Sequence, residues 1–362
     1  MLYNLLYPLN DIIPFFNLFK YITFRAAMAA ITTFLICLWL GKHLIALLQK
    51  AKIQENIRKE GFGNLYDVQK YKQGTPTMGG LLIVISVAFS TFLWANLTNK
   101  YVMLTLLVFL GLAFLGFLDD YIKLKHIGSR GLSMSAKFIG QLTIGLVLAL
   151  ILYFDKDINT KVYFPFFKNL VFDLGILYIL FAILVVCGSS NAVNFTDGLD
   201  GLAVGCTIMT ALTFSILCYI SGNIKISGYL FLPFMPHAGE LTIFCASLVG
   251  ACMGFLWFNC FPASIFMGDV GSLAIGGAIG VVALLIKKEI LLVIVGGVFV
   301  IEAVSVILQI LSFKVWKRRI FKMSPLHHHF QLSGMAESKI IVRFWIVSAI
   351  LAIVTLMTLK IR

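Results

Sequence analysis

Ten apolar runs constrain this chain more than any other feature. They lie near residues 22–48, 77–97, 101–120, 133–153, 174–193, 200–220, 240–259, 266–286, 291–313 and 340–360. A helix needs roughly 20 apolar residues to cross a bilayer, so the expectation is an all-α integral membrane protein with about ten transmembrane helices. With 60% hydrophobic and only 12% charged residues over 362 positions, little is left over for a water-soluble unit. Residues 1–362 are therefore expected to form a single polytopic membrane domain. The opening stretch, MLYNLLYPLNDIIPFF, has no basic start and is interrupted by Pro8, Asp11 and Pro14; it reads as an interfacial segment, not a cleaved signal peptide.

The cysteines at 37, 187, 206, 218, 245, 252 and 260 sit in or beside apolar runs without a CxxC pair, which marks them as small core residues rather than ligands or bridges. A formal net charge of +13 fits cytoplasmic Lys and Arg and anionic head groups better than nucleic acid. Nucleic acid is not an expected partner; membrane lipids are.

Ten spans place both termini on one side and divide the loops into two groups. The richer group holds Lys42, Lys50, Lys52, Arg58, Lys59, Lys70, Lys72, Lys123, Lys125, Arg130, Lys137, Lys314, Lys317, Arg318, Arg319, Lys322, Lys339 and Arg343, 18 of the 29 basic residues. By the positive-inside rule that side is cytoplasmic. Only 16 acidic residues exist, and Asp119, Asp120, Asp197, Asp200 and Asp269 all fall at cytoplasmic span ends or in the short loops there. Carboxylates gathered at one level of a membrane protein point to a functional site.

Each constellation has its own chemistry. In FLGFLDDYIKLK, Asp119 and Asp120 are adjacent anions at a helix exit; a cation or metal relieves their repulsion, and one can then act as a base. Helix-end carboxylates paired with Lys123 and Lys125 are the plainer alternative. In VNFTDGLDGLA, Asn194, Asp197 and Asp200 recur every three residues and form an acceptor-rich edge suited to a base, a ribose or the outer support of a metal. The twelve-position pattern of a calcium loop is missing there. In WFNCFPASIFMGDVGSLAIG, Asn259 precedes a Pro-marked turn, and Asp269 lies near a helix start, where it either caps the helix or meets magnesium.

Three consecutive histidines, His327, His328 and His329, occupy SPLHHHF. Consecutive residues do not readily share one ion, so they are read as donors to phosphate or sugar oxygens rather than as a zinc site. The segment YKQGTPTMGG supplies Lys70, Lys72, Thr75 and Thr77 as anion donors, without a Walker A pattern. Lys137 either reaches a phosphate or snorkels to the interface, and taken alone the second is favoured. Glu302 is expected to bond across helices and receives no chemical role.

In this order, GTPTMGG, LDDY, NFTDGLDG, NCFPASIFMGDVGS and HHHF resemble the phospho-N-acetylmuramoyl-pentapeptide transferase family, within the polyprenyl-phosphate N-acetylhexosamine-1-phosphate transferase superfamily. The resemblance covers about residues 40–360. Gln331 stands where that family more often has Glu, and Met335 where Trp is usual. HHHF and ESKIIVRFWI favour the muramoyl branch over transferases of N-acetylglucosamine phosphate.

What the resemblance implies is specific. The substrates would be UDP-N-acetylmuramoyl-pentapeptide and undecaprenyl phosphate, and the products lipid I and UMP. It implies magnesium, a homodimer, periplasmic termini and a cytoplasmic cleft in the bacterial inner membrane. Asp269 would hold the metal with Asp120 beside it, and Asp119 would deprotonate the lipid phosphate. Asn194, Asp197, Asp200 and Lys72, supported by Thr77, would bind the nucleotide; Lys137, Asn259, His327, His328 and His329 would contact phosphate or sugar, with His328 in the catalytic group. A secondary transporter predicts midplane carboxylates and repeated halves, whereas these carboxylates gather at one end and no repeat is visible.

Overall fold

A computed structural model of the chain describes residues 1–54, 72–125, 131–167 and 170–360. Ten longer helices organise it: α1 (Ile22–Lys50), α2 (Gly80–Trp94), α3 (Lys100–Lys125), α4 (Met134–Phe154), α5 (Leu177–Thr196), α6 (Leu202–Ser221), α7 (Leu241–Asn259), α8 (Gly268–Leu285), α9 (Gly297–Trp316) and α10 (Glu337–Met357). A small antiparallel hairpin, Lys161–Tyr163 with Val171–Asp173, joins α4 to α5.

Among the described residues, nine helices are long and apolar enough to cross a membrane, which makes this a multi-pass membrane protein. Two of the ten expected spans come out differently. The run at 77–97 yields only the 15-residue α2, because its first residues are taken up in a loop: the Gly79 and Gly80 N–H groups donate to Phe266 O and Met267 O at 2.8 and 2.7 Å. At its other end Ala95 turns extended, and the Met1 ammonium donates to Phe92 O at 2.8 Å and Ala95 O at 3.1 Å, meeting carbonyls at the helix end. The run at 291–313 is divided at Gly296 into a short helix, Glu289–Val295, and α9.

Helix α8 is the axis of the bundle. Every residue from Val270 to Leu285 is buried, with α3 and α5 as its main partners and α2 and α6 beside them. Hydrophobic attraction between helices is weak inside lipid, so close backbone approach must supply the packing. A methyl group added at Gly276 would lie 2.4 Å from Ser189 O, and one at Gly280 would lie 2.3 Å from Ser189 Oγ. The α1–α7 seam uses the same device: a methyl at Gly250 would meet Ala30 O at 2.0 Å. Of the seven cysteines, all free, six are buried as expected and Cys260 is exposed.

Candidate active site

Alternating helix ends meet at one face: the C-terminal ends of α3, α5 and α7, and the N-terminal ends of α4, α6, α8 and α10. Asp119 and Asp120 ride the last turns of α3, both buried, and Asp269 sits in the first turn of α8. One carboxylate oxygen from each lies within 4.8 Å of the others. Gly268 makes this approach possible. Its φ is +74°, which favours glycine, and a methyl there would stand 2.7 Å from Asp120 Oδ2. That same oxygen accepts the Val270 N–H at 3.2 Å, while Asp119 Oδ1 accepts the Leu132 N–H at 2.8 Å.

Two ammonium groups neutralise much of this charge. Lys123 Nζ stands 2.6 Å from Asp119, 3.3 Å from Asp120 and 2.7 Å from Asp269. Lys137 Nζ lies 2.9 Å from Asp269 Oδ2, so it turns into the site instead of snorkelling outward. Asn194 donates to Asp269 Oδ1 and, at 2.8 Å, to Ser272 Oγ. Hard carboxylate oxygens gathered around one cation centre suit a divalent ion such as magnesium. The Lys123 side chain, 40% exposed, places a positive charge between the three groups.

A second node lies deeper. Lys72 Nζ stands 2.7 Å from Asp200 Oδ1 and 2.5 Å from Glu337 Oε1. Glu337 Oε1 also accepts the Asp200 N–H at 3.1 Å, and its Oε2 accepts Gln331 Nε2 at 3.2 Å. Asp200 Oδ2 in turn accepts the Ala263 N–H at 2.9 Å. Lys72 and Asp200 are therefore held by each other and by Glu337, a residue the sequence reading used only as part of a branch signature.

Asp197 lies near both nodes. Burial first, then the charges of Asp269, Asp120 and Asp200, push its carboxyl up to about 8 against the opposing pull of Lys72. Thr77 is buried on the loop that docks against 266–268, and a methyl at Gly268 would lie 3.4 Å from its Oγ1. Lys70 lies outside the described residues. Asn259 braces backbone: its Oδ1 accepts the Gly201 N–H at 3.0 Å and its Nδ2 donates to Ile265 O at 2.8 Å.

The three histidines take different partners. They occupy the short helix Leu326–Leu332, where the His327 and His328 rings meet edge-on with centroids 4.1 Å apart. His327 is fully buried; its ring and its N–H both meet Glu302, each at 3.2 Å. Its Nε2 lies so near Gly198 that a methyl there would come within 2.3 Å. His328 Nδ1 pairs with Gln331 Oε1 at 3.0 Å, and His329 Nδ1 accepts the Lys322 N–H at 3.1 Å. Burial lowers both His327 and His328 to about 3, leaving them neutral at physiological pH. The cross-helix role expected for Glu302 is thus filled by His327.

The family model of glycosyl transferase family 4 matches residues 102–287, so the bundle that gathers carboxylates and lysines at one face is that of a membrane-embedded transferase of this class. A signature of the phospho-N-acetylmuramoyl-pentapeptide-transferase matches residues 72–84, the segment that carries Lys72 and Thr77. The chain is 53% identical to the phospho-N-acetylmuramoyl-pentapeptide-transferase of Nitratidesulfovibrio vulgaris strain DP4 over the whole of both chains. It is 50% identical to those of Citrifermentans bemidjiense and Syntrophus aciditrophicus, again over their full lengths. The chain belongs to the phospho-N-acetylmuramoyl-pentapeptide-transferase family.

Proposed function

We propose that the chain transfers phospho-N-acetylmuramoyl-pentapeptide from its UDP conjugate to undecaprenyl phosphate, giving lipid I and UMP. In this reading it works at the cytoplasmic face of the bacterial inner membrane, as a magnesium enzyme and a homodimer. The observation that carries the reaction is the convergence of Asp119, Asp120 and Asp269 on Lys123 and Lys137, within a family whose relatives bear that activity in their names.

An oxygen of the lipid phosphate forms the new bond to the phosphorus that bears the sugar. The bond from that phosphorus to the diphosphate bridging oxygen breaks, and UMP leaves with that oxygen. Such transfers depend mainly on positioning and on neutralising developing charge. Magnesium, held by Asp269 with Asp120 adjacent, would supply the Lewis acidity for the diphosphate. Asp119 takes the proton of the lipid phosphate. Lys123 is released from the carboxylates to meet phosphate oxygens, and Lys137 stands ready for the same task. Asn194, Asp197, Asp200 and Lys72, with Thr77, line the nucleotide's place; His327, His328 and His329 border the sugar-phosphate side, with His328 closest to a catalytic role, while Asn259 braces the backbone at Gly201 and Ile265.

UMP release by the purified protein, with undecaprenyl phosphate and either the muramoyl-pentapeptide or the N-acetylglucosamine nucleotide, tests this with magnesium or EDTA. Magnesium-dependent release from the muramoyl substrate alone is expected. Release from the other nucleotide moves the chain to the sister specificity, and trapping of a phosphorylated Asp119 overturns direct attack.

A further inference from the structure

On the side of the histidine helix away from Gly198, a cleft of about 280 Å³ opens between α9 and α10. Val298, Ile301, Leu326, Phe330, Ile340 and Val347 form much of its wall. The cation on its lining is Arg343, in the second turn of α10. Arg343 is exposed, and the hydrogen bond that the structure shows for its guanidinium goes to the Met335 thioether at 3.6 Å. That is a weak acceptor for so strong a donor. Lys339, one turn earlier on α10, is also exposed. A guanidinium in a membrane-crossing helix needs an anion or the interface.

We propose that this cleft is a binding site for an anionic phospholipid of the surrounding bilayer, with an acyl chain against the apolar wall and the head-group phosphate on Arg343, assisted by Lys339. Charge complementarity selects the occupant. The wall is almost wholly apolar, Arg343 is the cation on it with Lys339 exposed one turn before, and the cleft belongs to helices that cross the bilayer. Basic residues at that level attract anionic lipid. The prenyl carrier is a poorer fit, because its phosphate has to reach the reacting carboxylates and none of Asp119, Asp120 and Asp269 is on this cleft's lining. A bound chain packs against Leu326 and Phe330, and so supports the helix that presents His327 and His328.

Native mass spectrometry of the full chain, released from phosphatidylcholine vesicles with and without phosphatidylglycerol, reads the proposal directly. The wild type is expected to retain phosphatidylglycerol in preference to phosphatidylcholine. Arg343→Gln should lower that preference by about fivefold, Arg343→Lys should restore part of it, and Val347→Phe should reduce retention of both lipids by filling the cleft. Each protein's thermal midpoint shows that it is folded. Equal preference in the wild type and Arg343→Gln overturns the proposal. So does displacement of the lipid by undecaprenyl phosphate, which assigns the cleft to the carrier, or its loss on dimerisation, which assigns it to a second copy.

Discussion

The two ends of α8 hold ionic clusters built on opposite principles. At its start, Asp119, Asp120 and Asp269 share two ammonium groups that are 40% and 21% exposed. Just beyond its end, Lys287 pairs with Glu289 at 3.1 Å, and neither side chain is exposed at all. Tyr178 closes that second cluster: its hydroxyl accepts Lys287 Nζ at 2.8 Å and donates to Glu289 at 3.1 Å, and its ring lies 4.0 Å below the ammonium. The far pair holds its charges out of reach of water, an arrangement that joins helices. The near cluster sets three carboxylates against two partly exposed ammonium groups. Buried charge alone does not mark an active site; an excess of carboxylates beside partly exposed cations is what distinguishes this one.

Removing the carboxylate proposed to hold magnesium should separate the clusters most sharply. Asp269→Asn is expected to lower UMP release by about 10³-fold or more, with little change in thermal midpoint. Glu289→Gln should do the reverse. Leaving Lys287 buried without its carboxylate costs about 3–5 kcal/mol, read as a lower midpoint in detergent, while turnover per folded molecule stays unchanged. If Glu289→Gln removed turnover from a folded protein, the contrast between closed and open clusters would fail.

Smaller effects sharpen the same contrast. Glu337→Gln keeps the hydrogen-bonding shape but removes the charge that holds Lys72 to Asp200. It should raise KM for the nucleotide about tenfold, roughly 1.4 kcal/mol, and leave kcat nearly intact. An equal fall in both would place Glu337 in the chemical step instead. For each histidine taken singly, a still smaller effect is a pH dependence of stability. His327 and His328 are held at about 3 when folded, below an unfolded value of about 6.5. Their neutral forms therefore support the fold fully above that pH, and this support is lost as pH falls towards 3. Between pH 7 and 5.5 the loss should be about 1 kcal/mol for each histidine, and His327→Gln should flatten the slope of midpoint against pH.

Much of this was legible in the sequence, and the exceptions have physical causes. Most helices begin and end within a few residues of the apolar runs, since hydrophobic length is a local property. The run at 77–97 misled because its first residues bond to a loop nearly 190 positions away, between Phe266 and Met267. Asp119, Asp120, Asp197, Asp200 and Asp269 stood out because carboxylates are rare in such a chain. Glu337 did not: it lay just before the expected span at 340–360 and carries no local mark of Lys72 or Asp200, its partners. Lys123 was read as a helix-end partner of Asp119 and Asp120, but nothing near it in sequence marked Asp269.

The sequence by itself determined that this chain is a multi-pass helical membrane protein, which face gathers the acidic groups, and which family it resembles. Composition, charge asymmetry and motif order suffice for those, because bilayer thickness and the cost of burying charge act on every residue where it stands. Only the tertiary structure decided which carboxylates meet, that Lys137 turns inward, that the three histidines take different partners and that Asn259 braces backbone. Those outcomes depend on how α3, α5, α8 and α10 approach one another, and a side chain's partner across a bundle is set by packing that no short stretch of sequence contains.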